Sequence, residues 1–547
     1  MKKKTLVFIT FMLPLLAIST LVSAANMSST ATLAAEKDAV CQNSITVMNN
    51  NSSGAGSLRQ AIADVCEGGL ITFDSALDDS TVDISADGEL VITQSLSISS
   101  TIPITISGNH STRVLNIQEG SVTIDQLIIA NGNVQTNDCG PYGDDICGGG
   151  IIIQADGTAV ISNSTLINNT ARFGGGISNF GTLTVKNCVF WGNTAIIGGG
   201  GIDNNGTAIM KYSTLSNNSS EQVGGGVLTD VGLMDIQDST ISANEANFSG
   251  GGIYAHNKIA INNSTVSGNT AQLAGGIFVA HEGTLTVTQS TITNNSSDRG
   301  SGAGIVSTAN SSTSTMVSYS IVSGNVISGT NMPSDLGLTT DGDTDSFISG
   351  GHNLLGVVDE NVTAFVASGD QIDITEALLD SLADNGRLTQ THALLPGSPA
   401  IDGGGSCSAM TDQRGVERPQ GAACDIGAFE SQGFELTGLS GNAQTTGINS
   451  TFAIPLALSI SSGFNEPVVG GQLIFSAPVN GAGVTFTETA VTIDDKGTAS
   501  LSVTANDQMG SYPVTATAKG NFGEPVIFNL TNSQSTFLPI VLKAPAD

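Results

Sequence analysis

The sequence predicts an all-β chain: a parallel β-helix, or solenoid, followed by a β-sandwich. Three observations carry this expectation. A glycine phrase recurs at Gly148, Gly174, Gly199, Gly224, Gly250, Ala274 and Gly302, with starts 26, 25, 25, 26, 24 and 28 residues apart. A second phrase, an apolar residue three places before an Asn, keeps the same phase. It falls at Leu166/Asn169, Phe190/Asn193, Leu215/Asn218, Ile241/Asn244, Val266/Asn269, Ile292/Asn295 and Val322/Asn325. Between the phrases lie short alternating runs such as Thr182-Leu-Thr-Val185 and Thr284-Leu-Thr-Val-Thr288, which read as strands.

A fixed period of this length marks a repeat architecture. Charged residues make up only 12% of the chain, too few for helical repeats. About 25 residues divide into three strands and three turns, one coil of a β-helix whose neighbours pair roughly 4.8 Å apart. The regular coils are expected over 148–325. Stacked coils align equivalent residues, so Asn169, Asn193, Asn218, Asn244, Asn269, Asn295 and Asn325 are expected to form a structural ladder of amides. The glycines are expected at corners that need positive φ or close backbone approach.

Composition bounds the function. The 547 residues carry a formal charge of −31, which disfavours nucleic acid and anionic membrane as partners. Lys2-Lys-Lys4, an apolar run from Leu6 to Val22 and the small residues Val22-Ser-Ala24 predict an export signal over 1–25. After cleavage no apolar run is long enough to span a membrane as a helix, so the mature protein is expected to be secreted or on the cell surface or outer membrane rather than integral to a membrane. Export permits disulfides. Seven cysteines suggest the local pairs Cys41–Cys66, Cys139–Cys147 and Cys407–Cys424, leaving Cys188 as a buried thiol.

In chain order, residues 41–80 are expected to cap the open front of the solenoid. A short helix is expected at Ser57–Ile62, with Ser57 as N-cap and Gln60 completing a capping box. Arg59 is expected to pair with Asp64 or Asp74. The phrase Gly56-Ser-Leu-Arg-Gln-Ala-Ile62 with Ile71-Thr-Phe73 resembles the N-terminal motif of exported bacterial right-handed β-helix proteins. Residues 81–393 are assigned to the β-helix, with an insertion at Asn133–Ile146 and a short helix at Thr375–Ala383. The paired phrases of the array also resemble the repeats of chlamydial polymorphic membrane proteins.

Residues 394–432 contain Leu394-Leu-Pro-Gly-Ser-Pro-Ala-Ile-Asp402, Thr411-Asp-Gln-Arg-Gly-Val-Glu-Arg-Pro419 and Cys424-Asp-Ile-Gly-Ala-Phe-Glu430. This block resembles the C-terminal end-piece of the same exported family. Its charges, Asp402, Asp412, Arg414, Arg418, Asp425 and Glu430, read as an ion-paired cap on the last coil or, less simply, as an active site. Residues 433–533 show strand-like runs at sandwich spacing. Asp494-Asp-Lys-Gly-Thr-Ala499 and Gly510-Ser-Tyr-Pro-Val-Thr-Ala516 resemble bacterial Ig-like repeats of the invasin and intimin kind. Residues 534–547 form an apolar tail.

Chemistry is thinly spread. Asp341, Asp343 and Asp345 begin like a Ca²⁺ loop, but Ser346 and His352 stand where an EF-hand needs Gly and Glu. A looser Ca²⁺ site there is the one cofactor the sequence suggests. Outward acids on the coils, such as Asp203, Asp230 and Asp235, are not one period apart. His256 and His281, 25 residues apart, are either stacked imidazoles or turn residues at equivalent positions. The expected function is non-catalytic adhesion or matrix contact, with Asn- and Ser/Thr-rich faces binding carbohydrate or an extracellular protein. The alternative is a polysaccharide lyase or hydrolase of pectate-lyase type, which would show three or more carboxylates with a basic residue on one outer face.

Overall fold

A computed structural model describes residues 41–134, 148–300, 302–339, 344–387 and 389–534. The signal segment, the Cys139–Cys147 pair, Asp341, Asp343 and most of the apolar tail lie outside the described residues.

Each regular coil wraps three parallel sheets. The coil after Gly174 serves as an example. Ile177–Asn179 and Thr182–Lys186 both join the first sheet, Val189–Trp191 joins the second and Thr194–Gly198 the third. The first face is thus a strand bent at its middle, so a coil has four strand segments on three faces. The second sheet has eleven strands, one per coil, from Ser80–Asp83 to Leu354–Leu355. Register follows the repeat: Phe190 lies between Leu166 and Leu215, and Ile241 pairs Val266. Inward Ile, Leu and Val of successive coils therefore stack into one core, and most of them are fully buried.

The glycine phrase makes the sharpest corner. Gly174 has φ +61°, and a Cβ on Gly175 would lie 2.5 Å from the Thr194 carbonyl oxygen. The first position needs the left-handed region and the second needs the missing side chain. Ala274 adopts φ 51° in the one coil without the first glycine, a conformation costly for an L-residue.

At the front, helix Leu58–Asp64 buries Leu58, Ala61 and Ile62 into the solenoid core. Ser57 caps it, accepting from the Gln60 amide at 3.2 Å. The capping box is not completed, because the Gln60 side chain turns forward and donates to Asp64 at 2.9 Å. Arg59 does not pair with Asp64 or Asp74. Its guanidinium donates to the carbonyls of Ser52, Gly88 and Glu89, since the strands entering the first coils bring those carbonyls to it. The solenoid sheets already include Gln42–Val47 and Val65–Phe73, so coiling begins ahead of the predicted boundary at 81. Cys41 and Cys66 are joined, with Cα atoms 4.9 Å apart.

The rear departs from expectation. The last coil is closed by the segment after Leu355, where Val362 and Phe365 enter the core and the Phe365 ring lies 6.0 Å from that of Phe347. The block at 394–432 does not seal that end. It lies along the outside of the second sheet. There Thr240 Oγ1 donates to the Gln390 carbonyl (2.6 Å) and Thr265 Oγ1 to Gln413 Oε1 (2.7 Å). The Ala428 amide donates to Thr291 Oγ1 (3.1 Å). The block is a flank clamp, held by rows of outward Thr and Ser that an end cap could not reach. The expected helix at Thr375–Ala383 is instead a strand, Leu379–Ala383, antiparallel to Thr391–Leu394. Leu378 at φ 51° breaks any helix there, and the hairpin delivers His392 to Ser267 at 2.8 Å.

Beyond the clamp, residues 435–533 form a three-stranded and a five-stranded sheet. Their buried residues share one cluster with Ile321 and Leu354 of the solenoid and Ile401, Ile426 and Phe429 of the clamp. Backbone bonds run across the junction, from the Gln472 amide to the Pro396 carbonyl (2.8 Å) and from the Gly397 amide to the Lys519 carbonyl (3.1 Å). Among the described residues no helix is long and apolar enough to cross a membrane.

Candidate functional site

The asparagine column is a continuous hydrogen-bonded ladder. Asn169 Nδ2 donates to Asn193 Oδ1 (2.9 Å), and the pattern repeats through Asn218, Asn244, Asn269 and Asn295 to Asn325. The second N–H of each amide goes to a carbonyl two coils back, as from Asn193 to Leu166 (2.9 Å). Each Oδ1 also accepts the backbone amide of the neighbouring Asn. All seven side chains are buried and saturated, so they are not free to bind a ligand. The ladder ends on Asp335, whose carboxylate accepts from Asn325 Nδ2 (2.7 Å) and the Val357 amide (2.8 Å). Burial pushes that carboxyl up to about 6.

A second ladder went unread in the sequence. Cys188, Ser213, Ser239, Ser264 and Ser290 each donate a backbone amide to the next hydroxyl in the series, all within 3.1 Å. Its signal was the Ser-Thr step before each apolar residue of the Asn phrase, masked by the commonness of Ser and Thr. Cys188 is the one thiol in this column. It is free and buried, and burial pushes it up to about 11.

The titratable groups outside the clamp gather in one place, the outer bend of the first sheet. Ser178 Oγ (2.8 Å) and Asn205 Nδ2 (2.9 Å) donate to Asp203 Oδ2. Asp203 is 1% exposed, and burial pushes its carboxyl up to about 7, with the charge of Asp230 adding to the rise. Asp230 Oδ1 lies 2.6 Å from His256 Nδ1. Tyr254 stacks on Phe278 beside them. His256 and His281 do not stack: the register pairs Ala255 with Val279, so His256 is level with Ala280. The cause is local spacing, since this coil is 24 residues long and the histidines are 25 apart. Lys186 and Lys211, also 25 apart, do sit in register.

Of the proposed Ca²⁺ loop, Asp345 spends its carboxylate on the amides of Phe347 (2.9 Å) and Thr363 (2.6 Å), pinning the rear cap. Among the described residues no three His, Cys, Asp or Glu gather as metal ligands.

The clamp charges are buried and paired. Glu430 Oε2 accepts from Arg418 Nη1 and from the Asp425 amide, both at 2.9 Å. Arg414 donates to Asp412 Oδ2 at 2.8 Å and lies 3.4 Å over the Phe429 ring. Burial raises Asp425 well above the ordinary carboxylate range, with Glu430 adding to it. Asp402 accepts from the Ala423 amide, and Cys407 and Cys424 are joined with Cα atoms 5.4 Å apart. No group in this set faces an open cleft, so it reads as a joint.

The clamp covers only part of the second sheet. Outward Thr240, Ser242, Thr265, Ser267, Thr291 and Thr293 are buried beneath it. One and two coils earlier the same positions are open: Thr214 and Ser216 are half-buried, while Val189 is 41% and Trp191 44% exposed. Trp191 is the only tryptophan in the chain.

A family model described as a right-handed β-helix region matches residues 149–327, the span of the regular coils. The chain is therefore a right-handed parallel β-helix protein. A comparison with curated proteins finds no match.

Proposed function

We propose that this is an exported surface or secreted protein that uses its β-helix as a rigid binding rod, in contact with carbohydrate or an extracellular protein. The observation that carries the reading is the second sheet. Its hydroxyl rows hold an extended chain, the clamp, across the later coils, and continue bare across the earlier ones. A face that already grips one extended chain is suited to grip another. The residues at 433–533 serve as an Ig-like spacer fused to the solenoid flank. The asparagine face, buried in its ladder, plays no part in recognition.

A glycan and matrix-protein binding screen on the full mature chain tests this, with binding by at least one class expected. No hit in either class sinks the reading.

A second reading, a polysaccharide lyase or hydrolase, is favoured by Asp203, an acid pushed up to about 7 near the Asp230–His256 pair. Those two carboxylates fall short of the three expected of a lyase face. Ultraviolet absorbance of an unsaturated product, lost in Asp203→Asn, would establish the enzyme instead.

A further inference from the structure

We infer that the uncovered stretch of the second sheet around Trp191 is a binding platform for an acidic, carboxylate-bearing polysaccharide. The inference rests on the binding-rod reading and gives it a site and a ligand class.

The platform is built by register. Val189 and Trp191 point outward from one coil, with Thr165 and Ile167 on one side and Thr214 and Ser216 on the other. Solvent-facing positions on a β-helix are cheap to fill with Thr or Ser, and most of these rows do so. A large indole left 44% exposed is the exception. Indole presents a flat apolar face with a polar edge, suited to stacking on the C–H face of a sugar ring while hydroxyls on neighbouring rungs take the ring oxygens. The sheet is a rigid support, since its strands are locked coil to coil and backed by Phe190 in the core.

Charge selects the ligand. The chain is −31 overall, yet residues 157–220 hold three cations (Arg172, Lys186, Lys211) and one acid (Asp203), 3 − 1 = +2. Asp203 is itself pushed up to about 7 by burial. Lys186 and Lys211 stack in register on the strands that lead into the platform, and Arg172 stands on the strand that leaves it, beyond Ile167. Lys211 also lies 3.5 Å from Asp238, while Lys186 is exposed. Cations flanking an aromatic surface on an otherwise acidic protein complement a polyanion with sugar faces. The platform is also continuous with the clamp interface, where outward hydroxyls of the same rows bond an extended chain.

The single tryptophan makes the site its own reporter. The full mature chain is titrated with alginate as carboxylated probe and dextran as neutral probe, following Trp191 fluorescence and, separately, retention in affinity electrophoresis. Alginate is expected to shift the fluorescence and dextran to do so weakly or not at all. Raising salt is expected to weaken alginate binding, because exposed charges are screened. Trp191→Ala and Lys186→Glu should each weaken retention by about tenfold or more, equivalent to ~1.4 kcal/mol. Both residues are surface-exposed, so unchanged melting temperatures confirm that the variants fold. Retention of alginate that Trp191→Ala leaves intact overturns the site and spares the binding-rod reading. Equal response to dextran and alginate overturns the acidic class. An extracellular protein ligand found by the screen, with no polysaccharide retained, overturns this inference alone; no ligand of either kind overturns both.

Discussion

The coils and the clamp bury polar side chains in opposite ways. The coils repeat one solution: each Asn of the ladder makes the same bonds as its neighbours, so a rung is one of seven. The clamp uses each interaction once. Glu430 receives Arg418, the Asp425 amide and the Gln420 amide, and nothing elsewhere duplicates that arrangement. Redundancy gives the rod tolerance of local damage. The joint that fixes residues 433–533 to its flank has none.

The largest effect is expected at the joint. Arg418→Ala strands a buried carboxylate, which costs roughly 3–5 kcal/mol. Limited proteolysis should then cut between the solenoid and residue 433, while the coils stay protected. An apolar replacement of both Arg418 and Glu430 should recover most of the loss; cutting as fast as in Arg418→Ala would refute the pairing. A ladder rung comes next. Asn244→Ala orphans the Asn218 amide groups, at roughly 1–3 kcal/mol for each buried group left unpaired. The same change at Asn218 or Asn269 should lower the melting temperature alike, and widely unequal losses would break the picture of equivalent rungs.

Acidity separates the regions more gently. Asp203 and Asp335 have native values near 7 and 6, above the 3.8 of an ordinary Asp. Between those limits the native state binds more protons than the unfolded chain, so stability falls as pH rises from about 4 to 7. Asp203→Asn should flatten the upper part of that slope in melting curves, and an unchanged slope would contradict the shift. The smallest effect is expected at Cys188. Replacing it by Ser restores the hydroxyl column and should change stability by less than ~1 kcal/mol. The native thiol, buried and pushed up to about 11, should resist alkylation at neutral pH until the protein unfolds.

Much of the rod was legible because its information is periodic. One residue type at one phase, seen seven times, names the ladder, the corners and the parallel strands. Local spacing could still mislead: His256 and His281 looked aligned by the average period and missed by one in a 24-residue coil. The serine ladder was hidden because Ser and Thr also fill solvent-facing rungs. The candidate site was the least legible part. Nothing near Asp203 in sequence announces that it will be buried, and Trp191 looks like any aromatic of a strand until the register turns it outward.

The sequence by itself determined the β-helix, its phase and its front cap, since these follow from neighbouring residues and a fixed repeat. Only the tertiary structure decided where the 394–432 block would rest. Thr240, Thr265 and Thr291 are indistinguishable in sequence from Thr214, yet the first three are buried under the clamp and the last stands at its edge. Gln413 reaches Thr240 across 173 residues of chain. A contact that distant depends on which face the folded rod presents and where the chain leaves its last coil, and no local pattern encodes either.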